Sequence, residues 1–502
     1  MKQSVFLLLG ICLSLQTTTA QAVYFSKQFS IFPNLPSVGI RITTMPDGYA
    51  FTSLEGYYLD PKGSGFYITD KQGNLLLKRL ILPHNYLITG LQYHPEDSTF
   101  HFWGDIFVGA GKNLYHPFLA KTNWWGDTIQ VTRFNYPAFN FCRNALQLPD
   151  KGYAMLISTS TPDSSIIGLI RVDSTGKERW HKAFRTGFYH YNNYGLFLKN
   201  DSTLLVGYDA FYKTVDSALP PTDGYGVMEV TLEGTLQRDT AYYAYSILDS
   251  YTGWLSRIGN GRYAFVYRPP FLPNGNLQWI ACIDENYQLL WQKHPISTAS
   301  ATYTPAFTVN NKGNIVTGGQ TTGWGGFHPF ISEMDPDGEI VWERIAQSPV
   351  KGQSFINSSV FEAIRQTDDG GYVVTGSFDT NDDAPKTWLL KLDCLGCLEP
   401  GCETGVSVTL GTDVQETAPP TPALRIGPNP GNTHVNIELL QGAGYLHVFD
   451  LHGQPLMPRL YVEDKVLTLN TQTWPSGTYL IRFASKDGIT ASTERFVIAH
   501  GE

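Results

Sequence analysis

The sequence predicts an all-β protein, a seven-bladed β-propeller followed by a small antiparallel β-sandwich of the immunoglobulin-like kind. Three observations lead there. The chain of 502 residues has 48 Gly, 30 Pro and 13% aromatics, with few long helix-forming stretches, a balance that favours short strands joined by tight turns. One unit of strands and turns recurs seven times before residue 400, which marks a repeat architecture. From Leu424 onward the pattern changes to a short series of alternating strands.

The first element is an export signal. Lys2, an apolar run from Val5 to Leu15 and the small-residue pattern Ala20-Gln-Ala22 predict a secretory signal peptide over residues 1–22. The run is too short to span a bilayer. Cys12 follows Ile11, where a lipidation motif has Gly, Ala or Ser, so Cys12 reads as part of the signal core.

The propeller is expected over residues 23–402. "IRVDSTGKERWHKAF", "ACIDENYQLLWQKHP" and "SEMDPDGEIVWERIA" share an apolar strand, a turn opening on Asp, and a strand opening near Trp. The equivalent anchors are Asp70, Asn123, Asp173, Thr231, Asp284, Asp335 and Asp393, spaced by 53, 50, 58, 53, 51 and 58 residues. A strand pair such as "FEAIRQTDDGGYVVTGSF" precedes each anchor, so every unit supplies four strands, one blade. An array of two-sheet sandwiches accounts less well for seven registers in this length. After Cys397 the last unit lacks a fourth strand. Phe25-Ser-Lys27-Gln-Phe29 mimics Trp180-His-Lys182-Ala-Phe184, so the N-terminal strand is expected to complete blade seven and remove an open sheet edge. The blades carry neither the WD40 signature nor the sialidase Asp-box, in which Trp follows Gly by three positions. Here Trp342 follows Gly338 by four. The "DGGYVVTG…LLKLD" style resembles the degenerate propeller repeats of secreted bacterial proteins.

Export leaves Cys142, Cys282, Cys394, Cys397 and Cys402 in an oxidising compartment. "CLGCLEPGC" could hold zinc on three thiolates, but no fourth ligand lies nearby in sequence. A Cys397–Cys402 disulfide is the preferred reading, with Cys394 free or paired elsewhere and Cys142 and Cys282 as buried thiols.

Searching for chemistry yields no metalloprotease, nucleophile-elbow or phosphate-loop motif, and no cofactor or metal is expected. Gly259-Asn-Gly261-Arg-Tyr-Ala264 fits a dinucleotide pattern in letters only, because a strand follows it where a helix is required. Asp379-Thr-Asn381-Asp-Asp383 opens like a calcium loop but has Ala384 and Leu390 where Gly and Glu belong, so a solvated turn is expected. Net charge is −9 without a basic run, which excludes nucleic acid as a partner. The anchor acids recur in register and read as turn caps. Trp180, Trp291, Trp342, Trp279 and Trp388 recur too and read as blade packing.

Aromatics outside the register are the ligand candidates: Trp324 between glycines, Phe211 and Tyr212, and Phe271 in loops of one face, with Tyr189 and Tyr191 in a connection reaching it. Such rings stack on sugars or pack their own loops. Trp124 and Trp125 occupy a turn on the opposite face. The expected role is a non-enzymatic binding or adhesion module for a glycan or a protein. The alternative is an extracellular hydrolase or lyase acting on polysaccharide, which would need two convergent acids or a His–acid pair near the axis.

The rest of the chain is read as a linker, 403–423, with "TAPPTP", and a terminal domain, 424–502. In order, this domain presents Pro428-Asn429-Pro430, Asp450 and Gly453 in "VFDLHG", Gly477-Thr478-Tyr479, and Arg495 before a final apolar strand. Locally these stiffen the first turn, serve a hairpin and place a packing Tyr. Together they resemble the type A C-terminal sorting domain of the Por (type IX) secretion system of certain Gram-negative bacteria. "AHGE" extends past the last strand, where such domains usually stop. The resemblance implies export by the Sec translocon, passage through the type IX machinery, and removal of the domain by its sortase. The cargo would then be released or attached to the outer-membrane surface.

Overall fold

The computed structural model describes residues 24–500 apart from 33, 58–59, 109–114, 137–138, 162–163, 185–194, 213–221, 246–253, 268–277, 298–300, 323–326, 348–358, 380–383, 399–406, 410–423, 441, 451–455, 458–459, 464 and 486–490. The signal segment 1–22 lies outside these residues.

Seven antiparallel sheets follow one another in the order of the repeats. Their inner strands are Ser37–Met45, Tyr86–His94, Phe139–Gln147, Gly195–Asn200, Leu255–Arg257, Ala301–Val309 and Val360–Gln366. Each blade runs outward from its inner strand through two more to a fourth at the rim. The rim strands are Leu75–Ile81, Thr128–Arg133, Glu178–Phe184, Leu236–Tyr245, Leu289–Lys293 and Ile340–Gln347 for blades one to six. Blade seven takes its fourth strand from the other end of the chain. Phe25–Phe29 pairs antiparallel with Lys386–Leu392, from Phe25 opposite Lys391 to Phe29 opposite Thr387. The expected closure of the ring is therefore present.

The anchor residues show why the turns recur. At all seven, the backbone amide three positions on donates to the anchor carbonyl, as Gly396 does to Asp393. The anchor side chain accepts two further amides, two and four positions on. Asp335 Oδ1, for example, takes those of Asp337 and Glu339 at 2.9 and 2.8 Å. Thr231 does the same with its hydroxyl. This satisfies donors that a tight turn would leave unpaired, as the register predicted.

Adjacent blades are stapled at the same turns. Trp180 Nε1 donates to the Leu232 carbonyl and Trp291 Nε1 to that of Pro336, each in the turn of the following blade, both at 3.0 Å. A Cβ at Gly396, where φ is +73°, would lie 2.5 Å from the ring of Trp342, so the turn can pack on that ring only as glycine. Phe25 approaches Gly73 of blade one in the same way, and a Cβ there would lie 2.7 Å from its ring. The N-terminal strand thus supplies both the missing strand and the missing staple. Trp388 is fully buried in blade seven, and Trp279 is packed against the core between blades four and five. Trp124 and Trp125, in the turn opening on Asn123, are half-buried, with Trp124 against Tyr93 and Phe100.

Part of the segment read as a linker is paired. Ser407–Thr409 adds to the rim strand of blade six as a fifth, parallel strand, with Ile345 opposite Ser407. Cys142 and Cys282 are free and buried, and Cys394 is free and exposed. Cys397 is engaged in a disulfide, which removes it from any thiolate zinc set. Cys402 lies outside the described residues.

The terminal domain is a two-sheet sandwich. Leu424–Gly427, His434–Leu439 and Val466–Asn470 form one sheet. Leu460–Val462, Gly444–Asp450, Gly477–Ser485 and Ala491–Ile498 form the other. Alternation buries Val435, Ile437, Leu446, Val448, Ile481, Phe483 and Phe496 between them.

Candidate functional site on the propeller axis

Because the inner strands line the axis, they position whatever the channel offers. Four of them carry a bulge at equivalent places, where one residue drops out of the ladder: Ile40, Thr89, Arg143 and Glu362. Two positions on, the repeat keeps a buried apolar residue, Ile42, Leu91, Ala145 and Ile364. The bulge itself bends the strand and re-aims side chains. A bulged residue also leaves its backbone groups to other partners. The Thr89 carbonyl accepts Arg41 Nε at 2.6 Å, and the Thr89 hydroxyl donates to the Cys142 carbonyl at 3.1 Å. Blades one, two and three are thereby tied at the axis.

Arg41 reaches further. Its guanidinium stands over the ring of Trp254, 5.2 Å from the centroid. Trp254 immediately precedes the inner strand of blade five and donates Nε1 to the Pro305 carbonyl of blade six at 2.5 Å. Arg41 belongs to blade one, so the contact spans the channel and narrows it.

Glu362 and Arg365 lie on the inner strand of blade seven and keep part of their surface exposed. Enclosure by the surrounding blades pushes the Glu362 carboxyl up to about 7, against the pull of Arg41. The same enclosure, with the like charge of Arg41, pushes Arg365 down to about 10. Arg365 donates Nη1 to the Ile364 carbonyl at 2.8 Å. Among the described residues no carboxylate lies within ion-pair distance of it. Asp105 is buried behind the ring. Burial pushes it up to about 7 although it accepts the Cys142 amide at 2.7 Å.

A second polar cluster sits between blades two and three. Tyr153 Oη joins His94 Nε2 at 2.8 Å and His101 Nδ1 at 2.7 Å, and the imidazoles are 4.0 Å apart. His94 and Tyr153 are buried, and burial pushes His101 down to about 3. Burial lowers both imidazoles and so favours their neutral forms, bridged by the Tyr153 hydroxyl.

Of the aromatic candidates, Phe211 and Tyr212 end the strand Thr203–Tyr212, opposite Asp223 and Thr222. Trp324, Phe271, Tyr189 and Tyr191 lie outside the described residues, as do Asn381 and Asp383 of the calcium-like loop. Asp379 is buried, with its amide on the Ser359 hydroxyl at 2.9 Å. No group of residues suited to a metal occurs among the described residues. Gly259–Gly261 forms a hairpin turn between two paired strands, as expected. Sequence reasoning missed Arg41, Trp254, Glu362 and Arg365. For Arg41, Glu362 and Arg365 a signal lay at or near the bulge, in columns that vary in charge beside a column that stays apolar; Trp254 lies outside the bulged strands.

In the terminal domain, the residues named from the sequence meet around the last strand. Asn429, between Pro428 and Pro430, accepts the Val497 amide at 2.8 Å and donates Nδ2 to the Arg495 carbonyl at 3.3 Å. Tyr479 is buried against Trp474 and Phe496 and donates to the Pro475 carbonyl at 2.5 Å. It stands opposite Asp450 on one side and Phe496 on the other. Gly477 opens that strand, Arg495 is exposed, and Gly453 lies outside the described residues. Ala499 and His500, which open the extension, are docked: the Ala499 amide donates to the Gly431 carbonyl at 2.8 Å, and His500 Nε2 meets the Trp474 carbonyl at 2.6 Å.

The propeller with its appended sandwich defines the class of protein, and comparison with known proteins agrees. The chain is similar in fold to a solved polysaccharide lyase described as PL25, an ulvan lyase. That match has 12% identity and a TM-score of 0.50, covering 72% of this chain and 94% of the other. The polysaccharide lyase Uly1 gives 12% identity and 0.42 over 76% and 94%. PorZ, a surface component of the type IX secretion system of Porphyromonas gingivalis, gives 11% and 0.26 over 92% and 75%. Only the first of these three supports an argument, and it concerns the fold. No curated protein matches the chain in sequence. Residues 425–499 match the family model of the secretion system C-terminal sorting domain. This segment is a type IX sorting domain, and it marks the chain as cargo for export to the cell surface or beyond.

Proposed function

We propose that the protein is a non-enzymatic binding module which enters the periplasm through the Sec translocon, leaves it through the type IX machinery, and captures a glycan or a protein at the mouth of its axis. One observation carries this reading. Arg41, Glu362 and Arg365 of the inner strands, with Trp254 just before that of blade five, gather charged and aromatic groups around the axis. The loop aromatics Trp324, Phe211, Tyr212, Phe271, Tyr189 and Tyr191 would supply stacking surfaces around the same site. A Cys397–Cys402 disulfide would clip the end of blade seven before the sortase removes the tail. Release and attachment to the outer membrane are both compatible with that order. The test is a glycan array probed with the mature chain, residues 23–502. Selective retention of a glycan class supports the reading, and uniform background removes its glycan arm.

A second reading, an extracellular hydrolase or lyase, has one observation in its favour. Glu362 is held near 7, where a carboxyl can both give and take a proton. It stands without a second acid on the described inner strands of blades one, six and seven, so the binding reading is preferred. Reducing-end or unsaturated-product release from an acidic polysaccharide, lost in Glu362→Gln, would reverse that preference.

A further inference from the structure

We infer that the narrow part of the axial channel is a site for the carboxylate of a uronate-bearing glycan, with Arg365 as its principal cation. This rests on the binding reading above and assigns its ligand class. Arg365 and Arg41 repel one another inside an enclosure that also disfavours charge. Arg41 is already committed to the Thr89 carbonyl, the Ile40 carbonyl and the face of Trp254. Among the described residues, the Arg365 guanidinium bonds to the Ile364 carbonyl alone. The one acid of that strand, Glu362, is kept partly protonated by the same enclosure, so it compensates the pair incompletely. The result is a recessed positive centre in a chain whose net charge is −9.

A planar guanidinium with free donors matches a carboxylate in two parallel hydrogen bonds. Access selects the bearer. Arg41 of blade one touches Trp254 of blade five, so these two side chains cross the axis and narrow the approach to Arg365. A folded protein surface cannot reach it, whereas a slender acidic chain can. Trp254 beside the site offers an apolar edge to a pyranose ring, which favours a glycan over an acidic peptide.

The experiment is calorimetric titration of the mature chain with oligogalacturonate, a neutral cello-oligosaccharide of equal length, and oligoglutamate. We expect oligogalacturonate to bind and the other two to bind at least tenfold more weakly. Arg365→Gln should weaken oligogalacturonate binding tenfold or more. Glu362→Gln, which removes a competing negative charge and keeps the shape, should strengthen it severalfold. Melting curves on both variants establish that each is folded. The inference is overturned if oligogalacturonate fails to bind, if oligoglutamate binds as tightly, or if both folded variants bind like the parent. Binding of the neutral glycan alone would overturn this inference and leave the binding reading standing.

Discussion

Trp388 Nε1 donates to the hydroxyl of Ser26 at 3.0 Å, across 362 residues of chain. Trp388 is fully buried in blade seven, where this bond satisfies its indole donor. The strand Phe25–Phe29 is therefore built into the last blade by its backbone, by this bond and by the Phe25 staple on Gly73. A propeller closed this way needs both ends of its chain before blade seven is fully paired.

Removing residues 23–31 should lower the melting temperature far more than removing the terminal domain does. The deletion exposes the edge of Lys386–Leu392 and leaves Trp388 without its acceptor. Aggregation on heating should accompany it. Coincident melting curves for this variant and the parent would show that the ring closes without the strand.

Trp342→Ala and Trp324→Ala should separate packing from binding. Trp342 is buried, donates to Glu333 Oε2 at 2.9 Å and carries the Gly396 turn on its ring. Its loss should cost about 3–5 kcal/mol of folding free energy. Trp324→Ala should leave the melting temperature nearly unchanged and weaken glycan binding by about 1–2 kcal/mol. If Trp324→Ala unfolds the chain while each folded molecule still binds, Trp324 packs its own loop instead.

Glu362 should leave a signature in the pH dependence of stability. An ordinary glutamate titrates near 4.5, and in the fold this one is pushed up to about 7. The folded state thus holds the proton more tightly than the unfolded chain. The stability this provides is fully present below 4.5 and is lost as pH rises through about 7. Relative to Glu362→Gln, which cannot ionise, the parent should therefore lose melting temperature between those limits. Parallel curves for the two proteins across that window would place Glu362 in a freely solvated position.

Asn429→Ala should destabilise the terminal domain alone, by about 1–2 kcal/mol for the two hydrogen bonds it gives to the last strand. Two separate thermal transitions, with only the one belonging to the sandwich shifted, would establish this. A shift of the propeller transition would contradict it.

The architecture was legible because it rests on short-range rules repeated seven times. An Asp, Asn or Thr that caps its own turn can be read from spacing, and so can a ring that packs on the following turn's glycine. Even the closure was readable, since Phe25-Ser-Lys27 repeats the side-chain order of a rim strand. The axial residues were not. Arg41 is more than 300 positions from Glu362 and Arg365 in sequence, and only the curvature of the ring makes them neighbours. The strand at Ser407–Thr409 was also missed, because three residues of parallel pairing leave no alternation to detect. In the terminal domain, sequence order revealed the motif. The structure adds its purpose within the fold: Asn429 holds the final strand.

The central claim is that a closed propeller is carried out of the cell by the domain beginning at Leu424. Fractionation of a strain expressing the chain without residues 424–502 tests it most directly, with protease resistance reporting the folded ring. The account predicts a folded, protease-resistant propeller retained in the periplasm, with a melting temperature close to that of the parent propeller. Normal extracellular levels of the truncated protein would contradict it.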